Sequence, residues 1–196
     1  AGHRDAEILH RPRQAVGLDA LDAVPADHVA IRYWDRAATK EDEKGKNDPD
    51  WTVGVRMLRD RRGVFYVDDM VRLRGSPGEV ERAIKNTASQ DGQRVTIGIE
   101  QDPGQAGKME SGYYVRALAG YDVRVYPVTT KKIVRAKPAS AQAEAGNIKL
   151  LRGQWNEALL TELENFPGKG HDDIVDSVSG CLNALSEMFI QTPFVG

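Results

Sequence analysis

The chain has 196 residues, of which 40% are hydrophobic and 29% are charged. These values are typical of one soluble globular domain, with or without a tail, and exclude a disordered, a collagen-like or a membrane-spanning protein. No apolar run approaches the roughly 18–20 residues that cross a bilayer, and no signal peptide is recognisable, so we expect an intracellular protein. With 27 basic and 29 acidic residues the formal charge is −2, which by itself gives no sign of a nucleic-acid partner. The single cysteine, Cys181, excludes an internal disulfide and a thiolate metal cluster.

Hydrophobic periodicity predicts an α/β domain between two tails. Residues 1–27 have no sustained hydrophobic period and carry two prolines, so we expect a tail or linker there. Residue 1 is Ala and not Met, so we expect a fragment of a longer chain. Strands are predicted over 28–34, 51–58, 64–71, 95–100, 121–127 and 148–151, and helices over 76–89, 109–119, 138–145, 154–166 and 172–189. The polar segment 36–50 predicts a mobile loop, and residues 191–196 a second tail. This order of elements over 28–190 predicts one domain with a mixed sheet covered by helices on both faces.

Carboxylates stand at the ends of three predicted elements. Asp35 closes the first strand, Glu100 closes the strand over 95–100, and Asp172, Asp173 and Asp176 open the last helix. Sites in α/β sheets form at the carboxyl ends of strands, so Asp35 and Glu100 converge if their strands are parallel neighbours. The spacing of the helix acids places at least two of them on one helical face. Hard divalent cations take carboxylate ligands, so the pattern favours a site for Mg²⁺ or Mn²⁺.

Each of these acids also has an ordinary structural explanation. Acids are favoured in the first turn of any helix, and Asp35 begins a loop, where turn chemistry suits it. The alternation of side chains along a strand does not show whether the two acids face each other. Asp35 is predicted on the same face as Tyr33, and Glu100 on the same face as Gly98. The functional interpretation is favoured by three acid sites at element ends together with the glycine-rich turn DPGQAG after one of them.

Residues 123–143 contain no acid but carry five basic side chains: Arg124, Lys131, Lys132, Arg135 and Lys137. Such a segment predicts a surface that neutralises phosphates, and the alternative is a solvated basic loop. The lysines of the 36–50 loop are interleaved with acids, which favours a solvated loop.

Several other residues allow a structural or a functional role. His171 precedes the helix acids and either orients a ligand, donates a proton or has no direct role. We expect Trp34, Trp51 and Trp155 to be packing residues and Cys181 to be a buried small hydrophobe.

Four segments in sequence order resemble the nuclease domain of phage large terminases, a group within the ribonuclease H-like superfamily. They are VAIRYWDRAAT, GIEQDPGQAGK, YPVTTKKIVRA with the following AEAGNIKLL, and KGHDDIVDSVSG. The resemblance implies a ribonuclease H-like mixed β-sheet flanked by helices on both faces. It also implies a metal-dependent endonuclease that cuts double-stranded viral DNA concatemers at the start and end of genome packaging, in the cytoplasm of the infected host cell.

The resemblance further implies roles for individual residues. Asp35 would be the metal ligand from the first strand and Glu100 the second acid. Asp172 or Asp173 would be the ligand from the helix, with Asp176 as an alternative, and these acids would hold Mg²⁺ or Mn²⁺, with two ions expected. The implied partners are double-stranded DNA, the ATPase domain of the same full-length chain, the portal and the small terminase subunit. No Walker-type GxxxxGK[ST] motif is present, so we expect the motor half to be absent here.

Two rival functions remain open at this point. A junction resolvase or a transposase core would use the same metal chemistry on a branched or a specific substrate. A docking module of a packaging motor would carry the acids for structural reasons and would cleave nothing.

Overall fold

The computed structural model describes residues 20–36, 50–168 and 170–191. Seven strands form one sheet: β1 (Ala20–Leu21), β2 (His28–Asp35), β3 (Thr52–Asp60), β4 (Phe65–Leu73), β5 (Val95–Gln101), β6 (Val123–Pro127) and β7 (Ile148–Leu151). Five helices accompany them: α1 (Pro77–Asp91), α2 (Gln105–Ala117), α3 (Lys132–Glu144), α4 (Asn156–Asn165) and α5 (Asp173–Gln191). The predicted 36–50 loop and the predicted tails over 1–27 and 191–196 lie largely outside the described residues.

The sheet is mixed, with strand order β1-β7-β4-β3-β2-β5-β6. Strands β2, β3 and β4 form an antiparallel meander at its centre. All other neighbours are parallel, including β2 with β5 and β4 with β7. Parallel neighbours present their carboxyl ends at the same edge, so the ends of β2 and β5 lie side by side.

Two apolar clusters show that helices cover both faces of the sheet, as predicted. On one face, buried residues of α3, α4 and α5 pack against β2, β3, β4 and β7. On the other face, α1, α2 and the residue that follows α2 pack against β2 and β5. The alternation along β2 divides the two clusters, because Tyr33 belongs to the α5 face and Trp34 to the α1 face. In the described part of the chain, every helix is too short or too polar to span a bilayer.

Two helices begin earlier than the sequence predicts. The structure starts α2 at Gln105, whereas 109 was predicted, because Gly104, with φ 95°, turns the chain directly into the helix. It starts α3 at Lys132, whereas 138 was predicted, and Pro138 lies inside the helix instead of at its start. Ion pairs of Lys132 and Arg135 with acids far along the chain hold this additional part of the helix in place. The capped start of α1 is confirmed, with reciprocal bonds between Ser76 and Glu79.

Ala20 and Leu21 pair in parallel with β7, although they fall within the segment that was expected to be a tail. Leu21 also packs against a small cluster around Leu58 and Tyr66. Two residues are too few to produce a recognisable strand pattern in a sequence. The edge of the sheet is therefore covered by a strand that the sequence did not predict.

A buried ion-pair network ties α1 to the sheet on the face opposite α5. Arg32 is 1% exposed in the middle of β2 and donates to Asp91 at 2.8 Å and to Asp69 at 2.6 Å. Arg56 joins the network through Asp68 and the same Asp91. Because a buried charge is costly unless it is paired, this network fixes the end of α1 against β2 and β3.

Candidate metal centre

The carboxyl ends of β2 and β5 bring Asp35 and Glu100 to one edge of the sheet. The parallel register pairs Trp34 with Ile99, so Asp35 and Glu100 follow as neighbours at the two strand ends. Both side chains lie on the α5 face, because each follows a residue that packs on the α1 face. The parallel register therefore places Asp35 and Glu100 on one face of the sheet, which the alternation of side chains in the sequence did not show.

The first turn of α5 adds its acids to the same place. Asp173 and Asp176 are buried, with 6% and 3% exposure, whereas Asp172 is half-buried at the rim. Glu162 on α4 caps this helix, since its Oε1 accepts hydrogen bonds from the backbone N–H groups of Ile174 at 2.5 Å and Val175 at 3.3 Å. Burial raises the pKa of Glu162 to about 7. Glu162 therefore holds the start of α5, and with it the two buried acids, in position.

Asp35 lies in a field of negative charge. Burial, followed by the charges of Glu100, Asp176 and Asp173, raises the pKa of its carboxyl well above the usual range, against a smaller lowering by Lys132. Among the described residues, none donates a hydrogen bond to the Asp35 carboxylate. A cation bound beside this carboxylate would favour its ionised form and reduce the repulsion among the acids.

Two basic side chains of α3 reach into the acid cluster. The Nζ of Lys132 lies 2.6 Å from Asp172 Oδ1 and 2.6 Å from Asp176 Oδ2. Arg135 donates to Glu100 Oε1 at 3.2 Å and to the other oxygen of Asp176. Both oxygens of Asp176 thus accept from cations, and α3 is fixed to α5.

The five basic residues predicted to contact DNA therefore fall into different places. Lys132 and Arg135 pair with acids of the cluster, and Arg124 pairs with Asp122 at 3.1 Å. Lys131 and Lys137 are exposed on α3. The acid partners of Lys132 and Arg135 come from β5 and the start of α5, and that of Arg124 directly precedes the stretch, so an acid-free run of sequence does not reveal them.

Tyr33 orients Glu100 and was missed by the sequence analysis as a site residue. Its hydroxyl donates to Glu100 Oε2 at 3.1 Å. The ring fits between two glycines, since a Cβ at Gly98 would lie 2.7 Å and one at Gly180 2.3 Å from ring atoms. Tyr126 packs beside it, with ring centroids 5.4 Å apart. The two glycines on β5 and α5 are the signal that could have pointed to a large side chain between them.

A second group of potential ligands shares Asp173. Single ligand atoms of Asp50, His171 and Asp173 all lie within 4.8 Å of one another. The His171 Nδ1 is 3.6 Å from Asp173 Oδ2, and its Nε2 is 3.1 Å from an Arg74 Nη2. The backbone N–H of Trp51 donates to the same Asp173 oxygen at 3.1 Å. His171 therefore lies directly beside Asp173, where orienting a ligand or donating a proton stays a prediction.

The remaining predictions for single residues have mixed outcomes. Trp34 is 1% exposed and Cys181 is fully buried, both as predicted. Trp155 is half-buried and packs against the α5-face cluster. Trp51 also packs there in part, but its ring lies against two guanidinium groups, which a packing role alone does not explain.

The donors of the cluster fit a hard divalent cation. They are carboxylate oxygens of β2, β5 and α5, with the His171 imidazole beside Asp173, and the chain has no second cysteine to favour a softer metal. Asp35 is half-buried, accepts no hydrogen bond from a described residue, and is raised in pKa by the charges of three other acids. A bound cation would stabilise its ionised form. The structure therefore brings the predicted acids Asp35, Glu100, Asp173 and Asp176 together at one edge of the sheet.

Solved structures of terminase nuclease domains share the fold of this chain. The fold is similar to the large terminase nuclease domain of Thermus phage P74-26, with 16% identity, a TM-score of 0.60, and coverage of 89% of this chain and 93% of that chain. It is also similar to a manganese-soaked terminase nuclease domain of human cytomegalovirus, with 14% identity, a TM-score of 0.64, and coverage of 91% and 95%. A large terminase nuclease of thermophilic phage G20c with bound magnesium matches with 17% identity, a TM-score of 0.57, and coverage of 93% and 98%. These likenesses show that the chain shares the fold of these nuclease domains.

The family follows from the sequence itself. The model of the terminase RNaseH-like domain family matches residues 32–185, which include all the acids of the cluster, and this match confirms the predicted ribonuclease H-like fold. The chain belongs to this family. No curated protein sequence matches the chain significantly.

Proposed function

We propose that this domain is a metal-dependent endonuclease that cuts double-stranded viral DNA concatemers during genome packaging. The observation that carries the proposal is the convergence of Asp35, Glu100 and the first-turn acids of α5 in a member of the terminase RNaseH-like family. The structures similar to it that contain magnesium or are soaked in manganese support those two ions as cofactors.

Asp35, Glu100 and Asp173 would hold the ions, and Asp35, whose pKa is raised by the charges of three other acids, would be the ligand shared by two ions. When bound, such ions activate a water molecule and stabilise charge on the leaving oxygen of a phosphodiester. Asp172, at the rim of the cluster, and the buried Asp176 both contact Lys132.

The other side chains of the site prepare these ligands. Arg135 and the Tyr33 hydroxyl each engage one oxygen of Glu100 and so fix the orientation of its carboxylate. Arg135 also favours the ionised form of Glu100, although burial keeps the pKa of that carboxyl above its usual value. Lys132 supplies positive charge among the acids and, with the exposed Lys131 and Lys137, would hold the DNA backbone.

The wider setting is also part of the proposal. The domain would act as part of a large terminase, beside an ATPase domain of the same full-length chain. Portal and small terminase subunit would be its further partners, in the cytoplasm of the infected host cell.

Cleavage of supercoiled plasmid DNA tests this function. We expect nicked and linear products with Mg²⁺ or Mn²⁺ and none with EDTA. Asp35→Asn should abolish cleavage while leaving the circular dichroism spectrum unchanged. Asp22→Asn is the matched control, because Asp22 pairs with Arg152 near the far edge of the sheet and its side chain is 86% exposed. Full cleavage by Asp35→Asn, or no cleavage with either metal, would contradict the proposal.

The substrate can be tested with the same protein. Linear, supercoiled and four-way-junction DNA should be cut at comparable rates by a packaging nuclease. A strong preference for the junction would instead indicate a resolvase.

A further inference from the structure

We propose that Arg36 is a positioning residue that fixes the separation of Asp35 and Glu100, with helix α2 as its support. This role rests on the proposed function, since it concerns the acids that would hold the ions. Arg36 directly follows Asp35 at the end of β2, and the sequence analysis assigned it no role.

The backbone pairing of β2 with β5 ends before the two acids. The last pair in the parallel register is Trp34 with Ile99, and each acid is the next residue on its strand. The Gln101 carbonyl accepts from the Val128 N–H group on the β6 side, so the Glu100 carbonyl, one residue earlier, points towards β2. The spacing of the two acids therefore depends on the contacts that hold the strand ends beyond the last pair.

Arg36 makes such a contact between the two strand ends. Its Nη2 donates to the backbone carbonyl of Glu100 at 3.0 Å. The donor belongs to the residue after Asp35 and the acceptor to Glu100 itself, so one hydrogen bond joins the two acid positions. The Arg36 side chain is only 6% exposed, and a hydrogen bond from a charged donor is stronger when it is shielded from water.

Helix α2 holds the guanidinium group of Arg36 in place. The guanidinium carbon lies 4.8 Å from the centre of the Tyr114 ring, and Nη1 forms an ion pair with Glu110. Tyr114 is buried and belongs to the apolar cluster that contains Trp34. The planar guanidinium is thus held by a ring, a carboxylate and a carbonyl at the same time, which fixes the direction of its hydrogen bond to Glu100.

The turn after β5 attaches α2 to the end of that strand. Ser111 Oγ on α2 donates to Gln101 Oε1 at 2.9 Å. Gly107 lies so close to the turn that a Cβ there would overlap the Asp102 carbonyl oxygen. The glycine-rich segment DPGQAG, which the sequence analysis singled out, therefore allows α2 to pack tightly against the end of β5. Arg36 joins the end of β2 to this unit.

Two acids that share an ion need a fixed separation. Both acid side chains lie on the α5 face, whereas Arg36 packs on Tyr114 at the α1 face, so Arg36 acts through the backbone and does not touch the ion. Mg²⁺ and Mn²⁺ favour octahedral oxygen sites, with a metal–oxygen distance of about 2.0–2.1 Å for Mg²⁺, so ligands at the wrong separation bind them less tightly. Loss of a group that holds a metal ligand in place typically lowers metal affinity about 10–100-fold.

Calorimetric titration with Mn²⁺, at a temperature well below Tm, tests this role without cleavage. Arg36→Lys keeps the charge but replaces the planar fork by one ammonium group, which cannot engage the Glu100 carbonyl, Glu110 and Tyr114 together. We expect its Kd for Mn²⁺ to rise about 10-fold or more. Arg36→Gln should raise the Kd at least as much, although removal of a positive charge near the site would by itself lower it.

Arg59→Gln is the matched control for these variants. Arg59 also lies over an aromatic ring, that of Phe65 at 5.3 Å, and it also donates to a backbone carbonyl, that of Leu185 at 3.5 Å. It is in register with Val29 near the start of β2, about 20 Å along the strand from Asp35. Its Kd for Mn²⁺ should equal that of the unmodified chain, even where its Tm is lower.

Three results would overturn the positioning role. The first is an unchanged Kd in folded Arg36→Lys, and the second is a lower Kd in Arg36→Gln, since Arg36 would then act through its charge alone. The third is an equal rise of the Kd in Arg59→Gln, which would indicate a general loss of stability. Each of them leaves the proposed function standing if the unmodified chain cuts plasmid DNA and Asp35→Asn does not. No Mn²⁺ binding to the unmodified chain would overturn both proposals.

Glu110→Asp provides the test if the Arg36 variants do not fold. The Glu110 side chain is 54% exposed, so a substitution there changes stability little, and aspartate keeps the charge but shortens the reach to Arg36 by one methylene. Its Kd for Mn²⁺ should rise about 2-fold, as expected for a weakened, partly exposed ion pair. An unchanged Kd in Glu110→Asp beside unfolded Arg36 variants would overturn the proposal.

Discussion

Replacing Gly180 by alanine should disturb the cluster through Tyr33. A Cβ at this position would lie 2.3–2.5 Å from three atoms of the Tyr33 ring, far inside van der Waals contact. The ring is 4% exposed, and Gly98 on the other side leaves it no room, because its own Cβ position is 2.7 Å from the ring. The ring must shift, and its hydroxyl then leaves Glu100 Oε2.

The magnitude follows from a comparison with a second helical glycine. Gly112 in α2 is matched to it, because a Cβ there would meet only an Arg116 nitrogen at 3.7 Å. Both alanine variants gain the same helix preference, about 0.5–1 kcal/mol, so their difference isolates the cost of overpacking at Gly180. Overpacking in a well-packed core costs about 1–3 kcal/mol. For a chain of this length, each kcal/mol changes Tm by about 2–4 °C.

Thermal unfolding of the two variants measures this difference. We expect Gly112→Ala to melt at or above the Tm of the unmodified chain and Gly180→Ala to melt below Gly112→Ala by at least about 2 °C. Gly180→Ala should also bind Mn²⁺ more weakly, since Glu100 loses a partner. Equal Tm values for the two alanine variants would refute the packing of Tyr33 between two glycines.

Three further predictions concern the metal and the groups around it. Mn²⁺ at 100 times its Kd should stabilise the domain by about 2.7 kcal/mol, or about 5–11 °C in Tm, and Asp35→Asn should lose most of this shift in differential scanning fluorimetry. Because the pKa of Asp35 is raised, the shift should shrink as the pH falls, and a shift independent of pH would count against the acid cluster as its source. The pKa of Glu162 rises on folding from 4.5 to about 7, so the folded state binds its proton more tightly and, without metal, stability should fall as pH rises through this range. Glu162→Gln should reduce that fall, by about 1–2 kcal/mol in urea unfolding between pH 5 and 7.5, and an identical pH profile would show that Glu162 is not the source. Tyr33→Phe keeps the ring but removes the donor to Glu100, so stability should fall by about 1 kcal/mol and Mn²⁺ affinity should decrease, whereas unchanged Mn²⁺ titrations would argue against an orienting role.

Much of the fold was predictable because its elements are locally marked. The strands ending at Asp35 and Glu100 are short apolar runs with polar residues directly after them, and Ser76, Pro77 and Glu79 mark the start of α1. These signals depend on neighbouring residues only, and the structure confirms them. The early start of α3 was not predictable in this way, since the ion pairs of Lys132 and Arg135 with acids far along the chain decide it.

The candidate site was predictable in its acids but not in its surroundings. The acids can be assigned to the ends of elements once the boundaries of those elements are predicted. That Asp35 and Glu100 share a face depends on the parallel register of β2 and β5, which the sequence does not show. Glu162 belongs to an apparently ordinary amphipathic helix, and only the packing of α4 on the start of α5 reveals it as a cap. Tyr33 likewise has no distinctive local pattern, because the two glycines that accommodate it lie on other elements.

The position of bound manganese tests the central claim most directly. Anomalous diffraction from crystals soaked in Mn²⁺ should show an ion within coordination distance of Asp35 and Glu100, with Asp173 as the ligand from α5. The same map would distinguish Asp173 from Asp172 and Asp176, whose oxygens contact Lys132 without metal. An ion held only by Asp50, His171 and Asp173, or no ion near Asp35, would contradict the account.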